Sequence, residues 1–207
     1  FVIAIFTCII STIFVLSVAY SMSRMRFKMR KPFMNIAMII GLFPSFMSMI
    51  AVYYILRALN LADGAMIRVA LIIVFSAGSG AGFYVAKGFF DTISKSLDEA
   101  AIIDGATRWN VFTKITVPLS KPIIVYTILT SFMGPWVDFI FGKVICRADA
   151  QYYTVSIGLW KMLEKEYIDS WYTCFAAGAV VVSIPIAILF LMTQKFYVEG
   201  MTGAVKG

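Results

Sequence analysis

Five long apolar runs constrain this chain more than any other feature: residues about 1–20, 34–56, 70–90, 123–142 and 172–193. A helix needs about 20 mainly apolar residues to cross ~30 Å of hydrocarbon, and each run is close to that length. Lipid offers backbone N–H and C=O groups no partner, and the runs lack the alternation of barrel strands. Each is therefore read as a membrane-spanning helix. Composition removes the alternative of a soluble core. Apolar residues are 61% of the chain and charged residues 14%, against roughly 45–50% and about 25% in an average soluble domain. A soluble fold of 207 residues has too little interior to hide that surface. The expected fold class is all-α integral membrane.

Flanking charge sets an orientation. Arg24, Arg26, Lys28, Arg30 and Lys31 follow the first run. Lys87, Lys95, Arg108, Lys114 and Lys121 lie in or beside the segment after the third, and Lys195 and Lys206 follow the last. Once the acids of these segments are counted, all of the formal +7 falls on this side, and charges on the other side cancel. The basic side is read as cytoplasmic, with Phe1 outside and Gly207 inside. A basic balance also suits nucleic acid, but here it sits beside membrane spans. Membrane lipid is the expected neighbour, and no nucleic-acid partner is expected. The chain starts at Phe1 inside an apolar run, so it is read as lacking its native N-terminus. One upstream helix would make six spans in the full protein, with both ends in the cytoplasm.

Absences narrow the chemistry. There is no histidine, which excludes histidine general bases and His-ligated metal sites, and no metal is expected. Cys8, Cys146 and Cys174 are far apart and odd in number, and are read as small apolar fillers. No G-x-x-x-x-G-K-[ST] motif occurs. The chain thus has no P-loop and no expected catalytic residue, and any ATP use belongs to a partner.

Details within the runs leave alternatives. Gly78-Ser79-Gly80-Ala81-Gly82 lacks the strand and lysine of a phosphate loop, whereas Gly78 and Gly82 form a small-xxx-small pair that admits another helix. Pro44, Pro135 and Pro185 each remove a helical hydrogen bond and serve either a moving kink or plain packing. Asp138, in Pro135-Trp136-Val137-Asp138-Phe139, is the one acid well inside a run. Either it faces a path, where the Trp136 ring and a carboxylate suit a sugar, or it marks a helix end near the outer interface.

Residues 91–122 form the longest cytoplasmic segment. Ser96-Leu97-Asp98-Glu99 reads as a capping box that starts a helix near Leu97. Gly105 can supply the left-handed residue that ends it, and Thr107 can cap a second helix over roughly 108–115. Pro118 and Pro122 bracket the return to the membrane. Two short helices joined at a glycine suit a groove on a partner, or an amphipathic hairpin resting on the bilayer.

Glu99-Ala100-Ala101, Asp104-Gly105-Ala106 and Pro118-Leu119, spaced around Thr107-Arg108-Trp109, Phe112 and Ile115, resemble the EAA loop of bacterial ABC importer permeases. Trp136-Val137-Asp138-Phe139 and the tail from Tyr197 to Gly207 resemble MalG-type carbohydrate permeases of the maltose/maltodextrin branch. The resemblance implies a type I importer permease fold and a binding-protein-dependent assembly in the bacterial cytoplasmic membrane. Its expected members are a second, MalF-like permease subunit, two ATPase subunits that carry ATP and Mg, and an extracytoplasmic sugar-binding protein. It further implies that Glu99, Ala100, Ala101, Ile102, Asp104, Gly105 and Pro118 couple the chain to the ATPase, with Glu99 paired to a basic group there. Trp136 and Asp138 would belong to the substrate path. Gly200, Thr202, Gly203 and Lys206 of the tail would reach the ATPase, and the outer segment from Val144 to Trp171 would face the binding protein. The competing readings are a permease for another solute, such as a glycerol phosphate or other oligosaccharide, an ion-driven secondary transporter, and a non-transport scaffold.

Overall fold

The computed structural model describes all residues except 43–44, 79–81, 148, 165–166 and 205–207, and only the backbone of 45–46 and 197–204. Among the described residues there are helices and no strands. The first run forms α1 (Val2–Arg24), and the last forms α12 (Ile168–Ala204), much longer than the expected 172–193. Both contain a stretch long and apolar enough to cross a membrane alone.

The other three runs are divided. The run 34–56 becomes α2 (Arg30–Gly41) and α3 (Ser45–Ala58), and Pro44 lies outside the described residues. The run 70–90 becomes α4 (Met66–Gly78) and α5 (Gly82–Thr92), bent by 42°. Ser79, Gly80 and Ala81 lie outside the described residues. A Cβ on Gly82 would touch Val15 Cγ2 of α1 at 3.7 Å, and one on Gly78 would meet nothing within 4 Å. Helix packing within this chain therefore uses only Gly82 of that pair. The run 123–142 does not stay helical throughout. Its helix α9 (Lys121–Val137) ends two residues after Pro135, and a short α10 (Ile140–Cys146) follows. At 17 residues, α9 is at the lower edge of the ~17–25 that span a bilayer.

Helix α1 is the spine of the fold. Ala4, Thr7, Ser11, Val15 and Ala19 are buried at spacings of three and four, which places them on one helical face. These small side chains let α1 run closely along α4, α5 and α9. One apolar core joins Leu16, Ala19 and Tyr20 to Phe83, Ala86, Phe90 and Ile123. A second joins Leu56, Ala62, Ile67 and Leu71 to Ile145, Cys146 and Ile157, so α10 and α11 (Val155–Lys161) close the opposite end. At that end four cations lie over aromatic rings: Arg68 over Tyr152, Lys143 over Phe139 and Trp160, Arg147 over Tyr53, and Lys161 over Tyr153.

The Cys146 thiol in this second core donates to the Tyr152 carbonyl at 3.2 Å. Burial, followed by the nearby Asp149 charge, pushes its pKa up to about 11. Only the thiolate is a good nucleophile, so raising the pKa silences the group. Cys146 is expected to resist a maleimide at pH 8 in the folded protein and to react once the chain is denatured. Rapid labelling in the folded state would contradict this packing.

Candidate coupling site

The segment between α5 and α9 folds as a helical hairpin. Helix α6 (Lys95–Ile103) begins earlier than the capping box suggests. Ser94 is the cap, and its Oγ accepts the Ser96 N–H at 3.3 Å. The Ser96 hydroxyl is paired with that same oxygen at 2.7 Å, so it caps nothing itself. Helix α6 ends at Asp104, and Gly105 takes φ +85. Its N–H reaches the Ile102 carbonyl at 3.0 Å, and the Ala106 N–H reaches Ala101 at 2.9 Å. This is the paired closing geometry in which a left-handed glycine reverses the chain. Thr107 then caps α7 (Arg108–Val111), its hydroxyl oxygen accepting the Asn110 N–H at 3.2 Å.

The second helix runs past the expected 108–115. A π-helical turn over Phe112–Thr116 leads into α8 (Val117–Leu119), where Pro118 sits. The Val117 N–H reaches back to Phe112, one residue further than an α-helical bond. At Ser120 the chain turns by 83° into α9. The turn sets Arg108–Leu119 steeply across the membrane helix, as a platform for the hairpin.

The two faces of α6 differ. Asp98 is buried and Ala101 half-buried, whereas Leu97, Glu99, Ala100, Ile102, Ile103 and Asp104 are exposed. Ile103 is 85% exposed and Trp109, just past the turn, 69%. Trp109 packs on Phe112 at 5.8 Å between ring centroids, and Phe112 packs on Tyr20 of α1 at 4.7 Å. The Tyr20 hydroxyl donates to the Arg108 carbonyl at 3.2 Å. The hairpin is thus anchored to the end of α1 and offers isoleucines and a tryptophan on a segment full of charges. Apolar side chains beside charges fit the core of a protein interface with a polar rim, or the headgroup boundary of the bilayer. Arg24, Arg26, Arg30, Lys95 and Arg108 line one crevice of about 190 Å³ between α1 and α6, with Asp98 and Glu99.

Trp136 and Asp138 stand at the far end. The Trp136 ring is buried between Phe1 and Phe132, and its indole N–H donates to the Val182 carbonyl at 3.2 Å. Asp138 ends α9 in extended geometry, and its Oδ2 accepts the Gly142 N–H at 2.7 Å. One carboxylate oxygen therefore holds an N–H in the first turn of α10. Gly200, Thr202 and Gly203 lie in the backbone of α12, and Lys206 lies outside the described residues.

Residues 11–201 match the family described as the binding-protein-dependent transport system inner membrane component. The chain belongs to that family. It is 36% identical over 207 residues to the galactooligosaccharides transport system permease protein GanQ of Bacillus subtilis, covering 99% of this chain and 71% of the relative. It is 33% identical over 193 residues to the maltose/maltodextrin transport system permease protein MalG of Escherichia coli, covering 91% of this chain and 64% of the relative. The maltodextrin transport system permease protein MdxG of Bacillus subtilis is 32% identical over 207 residues, covering 100% and 73%. The chain thus spans between 64% and 73% of these relatives' length. In this inner-membrane transport component, the tie between Asp98 of the hairpin and Arg24 of α1 escaped sequence reasoning. Arg24 carried only a weak signal, as the first basic residue after an apolar run.

Proposed function

We propose that this chain is a permease subunit of an ATP-driven importer that carries maltodextrin-type oligosaccharides across the bacterial cytoplasmic membrane. The observation that carries the reading is the hairpin: a capped helix, a left-handed Gly105 and an exposed rim of Ile102, Ile103 and Trp109 on a charged segment. That rim seats in a cleft of a separate ATPase subunit, one of two, which bind ATP and Mg and perform the hydrolysis. Glu99, exposed beside it, pairs with a cation of that cleft. Asp104, Ala100, Ala101 and Pro118 shape the same contact, and the tail through Gly200, Thr202, Gly203 and Lys206 adds to it. A second, MalF-like permease completes the pathway, and an extracytoplasmic binding protein delivers the sugar.

The convergence of Arg24, Arg26, Arg30, Lys95 and Arg108 around one crevice supports a single cytoplasmic face, with Phe1 outside and the tail inside. The opposite face, where Trp160 and Trp171 are exposed, meets the binding protein. Asp138 belongs to the pathway wall, with one oxygen committed to Gly142, and Trp136, whose ring is buried within this chain, belongs to the packing behind that wall. The likeness to GanQ, a galactooligosaccharides transport permease, favours a second substrate reading, a galactooligosaccharide.

Purification of the full-length protein from its native membranes in mild detergent, with mass spectrometry of what accompanies it, tests both. The expected result is an ATPase, a second permease and a binding protein loaded with a glucose oligomer. A galactose oligomer selects the second substrate. Recovery of the intact chain alone from membranes where it is abundant refutes the importer.

A further inference from the structure

The side chain of Arg24, the last residue of α1, is 3% exposed. Its Nε lies 3.2 Å from Asp98 Oδ2 in the first turn of α6. Its Nη2 donates to the Phe90 carbonyl at 3.0 Å and the Ile93 carbonyl at 2.9 Å, at the C-terminal end of α5. One guanidinium therefore holds three elements at once. Beside it, Ser23 Oγ donates to Asp91 Oδ1 at 2.6 Å, a second tie between α1 and α5.

A buried ion pair is poor evidence for added stability, because desolvation offsets most of its attraction. What such a pair supplies is geometry, and the rigid, planar guanidinium of arginine holds its acceptors in set directions, where the ammonium of lysine on its flexible stem constrains them less. The neighbouring acids Asp98 and Glu99 point to different partners. Asp98 is buried against α1, and Glu99 is exposed on the side of α6 that carries Ile103. We propose that Arg24 is a positioning residue for transport: through Asp98 it makes α6 and α1 move as one body. A push on the outer face of α6 then reaches α1, whose buried stripe runs along α9 and α4. The assignment rests on the importer reading and concerns a role inside the chain, where Glu99 acts outside it.

The test uses the complete transporter in proteoliposomes, with complex yield, ATP hydrolysis and sugar uptake measured on one preparation. Arg24→Lys keeps the charge and loses the fork; Asp98→Asn keeps the shape and loses the charge; Asp98→Glu keeps the carboxylate. The first two are expected to assemble and hydrolyse ATP, with uptake per ATP reduced roughly tenfold or more. Asp98→Glu is expected to stay coupled. Unchanged uptake per ATP in both Arg24→Lys and Asp98→Asn overturns the assignment. So does a fall in complex yield that tracks the fall in uptake, because the residue is then merely structural. An unaltered chain that assembles with no ATPase overturns the importer reading itself, and a coupled unaltered transporter beside equally coupled variants overturns this assignment alone.

Discussion

Glu99→Lys is expected to abolish sugar uptake by the proposed importer and to leave membrane insertion unchanged. Glu99 is exposed on α6, next to the apolar rim and at the edge of a crevice lined by Arg24, Arg26, Arg30, Lys95 and Arg108. Glu99 forms no ion pair among the described residues, so insertion does not depend on it; a lysine there adds repulsion toward the crevice cations, which exposure to solvent screens. Its main effect is expected at the proposed ATPase interface. Removing one member of a desolvated, hydrogen-bonded charge pair between proteins costs about 2–5 kcal/mol, and a lysine facing another cation adds repulsion. That is enough to unseat the ATPase in the proposed docking. Uptake into vesicles, together with the amount of ATPase retained on the purified variant, checks the outcome. Full uptake by the variant removes Glu99 from the coupling contact.

Gly105→Val is the second large effect. Gly105 has φ +85, and a Cβ there would meet nothing within 4 Å. The penalty is therefore in the backbone and not in crowding. A β-branched residue in the left-handed region costs about 1–3 kcal/mol. The chain relieves that strain by opening the bonds from Gly105 to Ile102 and from Ala106 to Ala101. Once they open, the turn no longer fixes α7 against α6, and the proposed docking rim of Ile103 and Trp109 is expected to lose its shape. Uptake is expected to fall roughly tenfold or more in Gly105→Val and less in Gly105→Ala. It is expected to persist in Gly105→Asn, because asparagine tolerates this region. A valine variant as active as the asparagine one would show that the turn does not matter for coupling.

Parts of both the fold and the site were legible from local chemistry. The length of the apolar runs demands helices, because lipid leaves the backbone no other partner. Gly105 ends α6 and Thr107 caps α7 through bonds that close within three to five residues, so the residues that decide them are adjacent in sequence. The start of α6 was misplaced by two serines in competition for one role, settled by which hydroxyl oxygen faces the free N–H. The break at Asp138 was hidden inside an apolar run. Hydropathy measures affinity for lipid and not the continuity of a helix, and Pro135 alone does not say whether a helix bends or stops.

By itself, the sequence determined that this protein is a helical membrane component with a charged, glycine-hinged hairpin between its third and fourth apolar runs. Those properties come from the transfer of side chains to lipid and from backbone preferences a few residues long. Only the tertiary structure decided which neighbour each polar group meets. It aims Asp98 inward at Arg24 and leaves Glu99 outside, gives the Trp136 N–H to Val182, and turns one Asp138 oxygen to the Gly142 N–H. Two acids side by side on α6 are equivalent to any local rule. The ion pair from Arg24 of α1 makes the first an internal tie, and the second stays exposed.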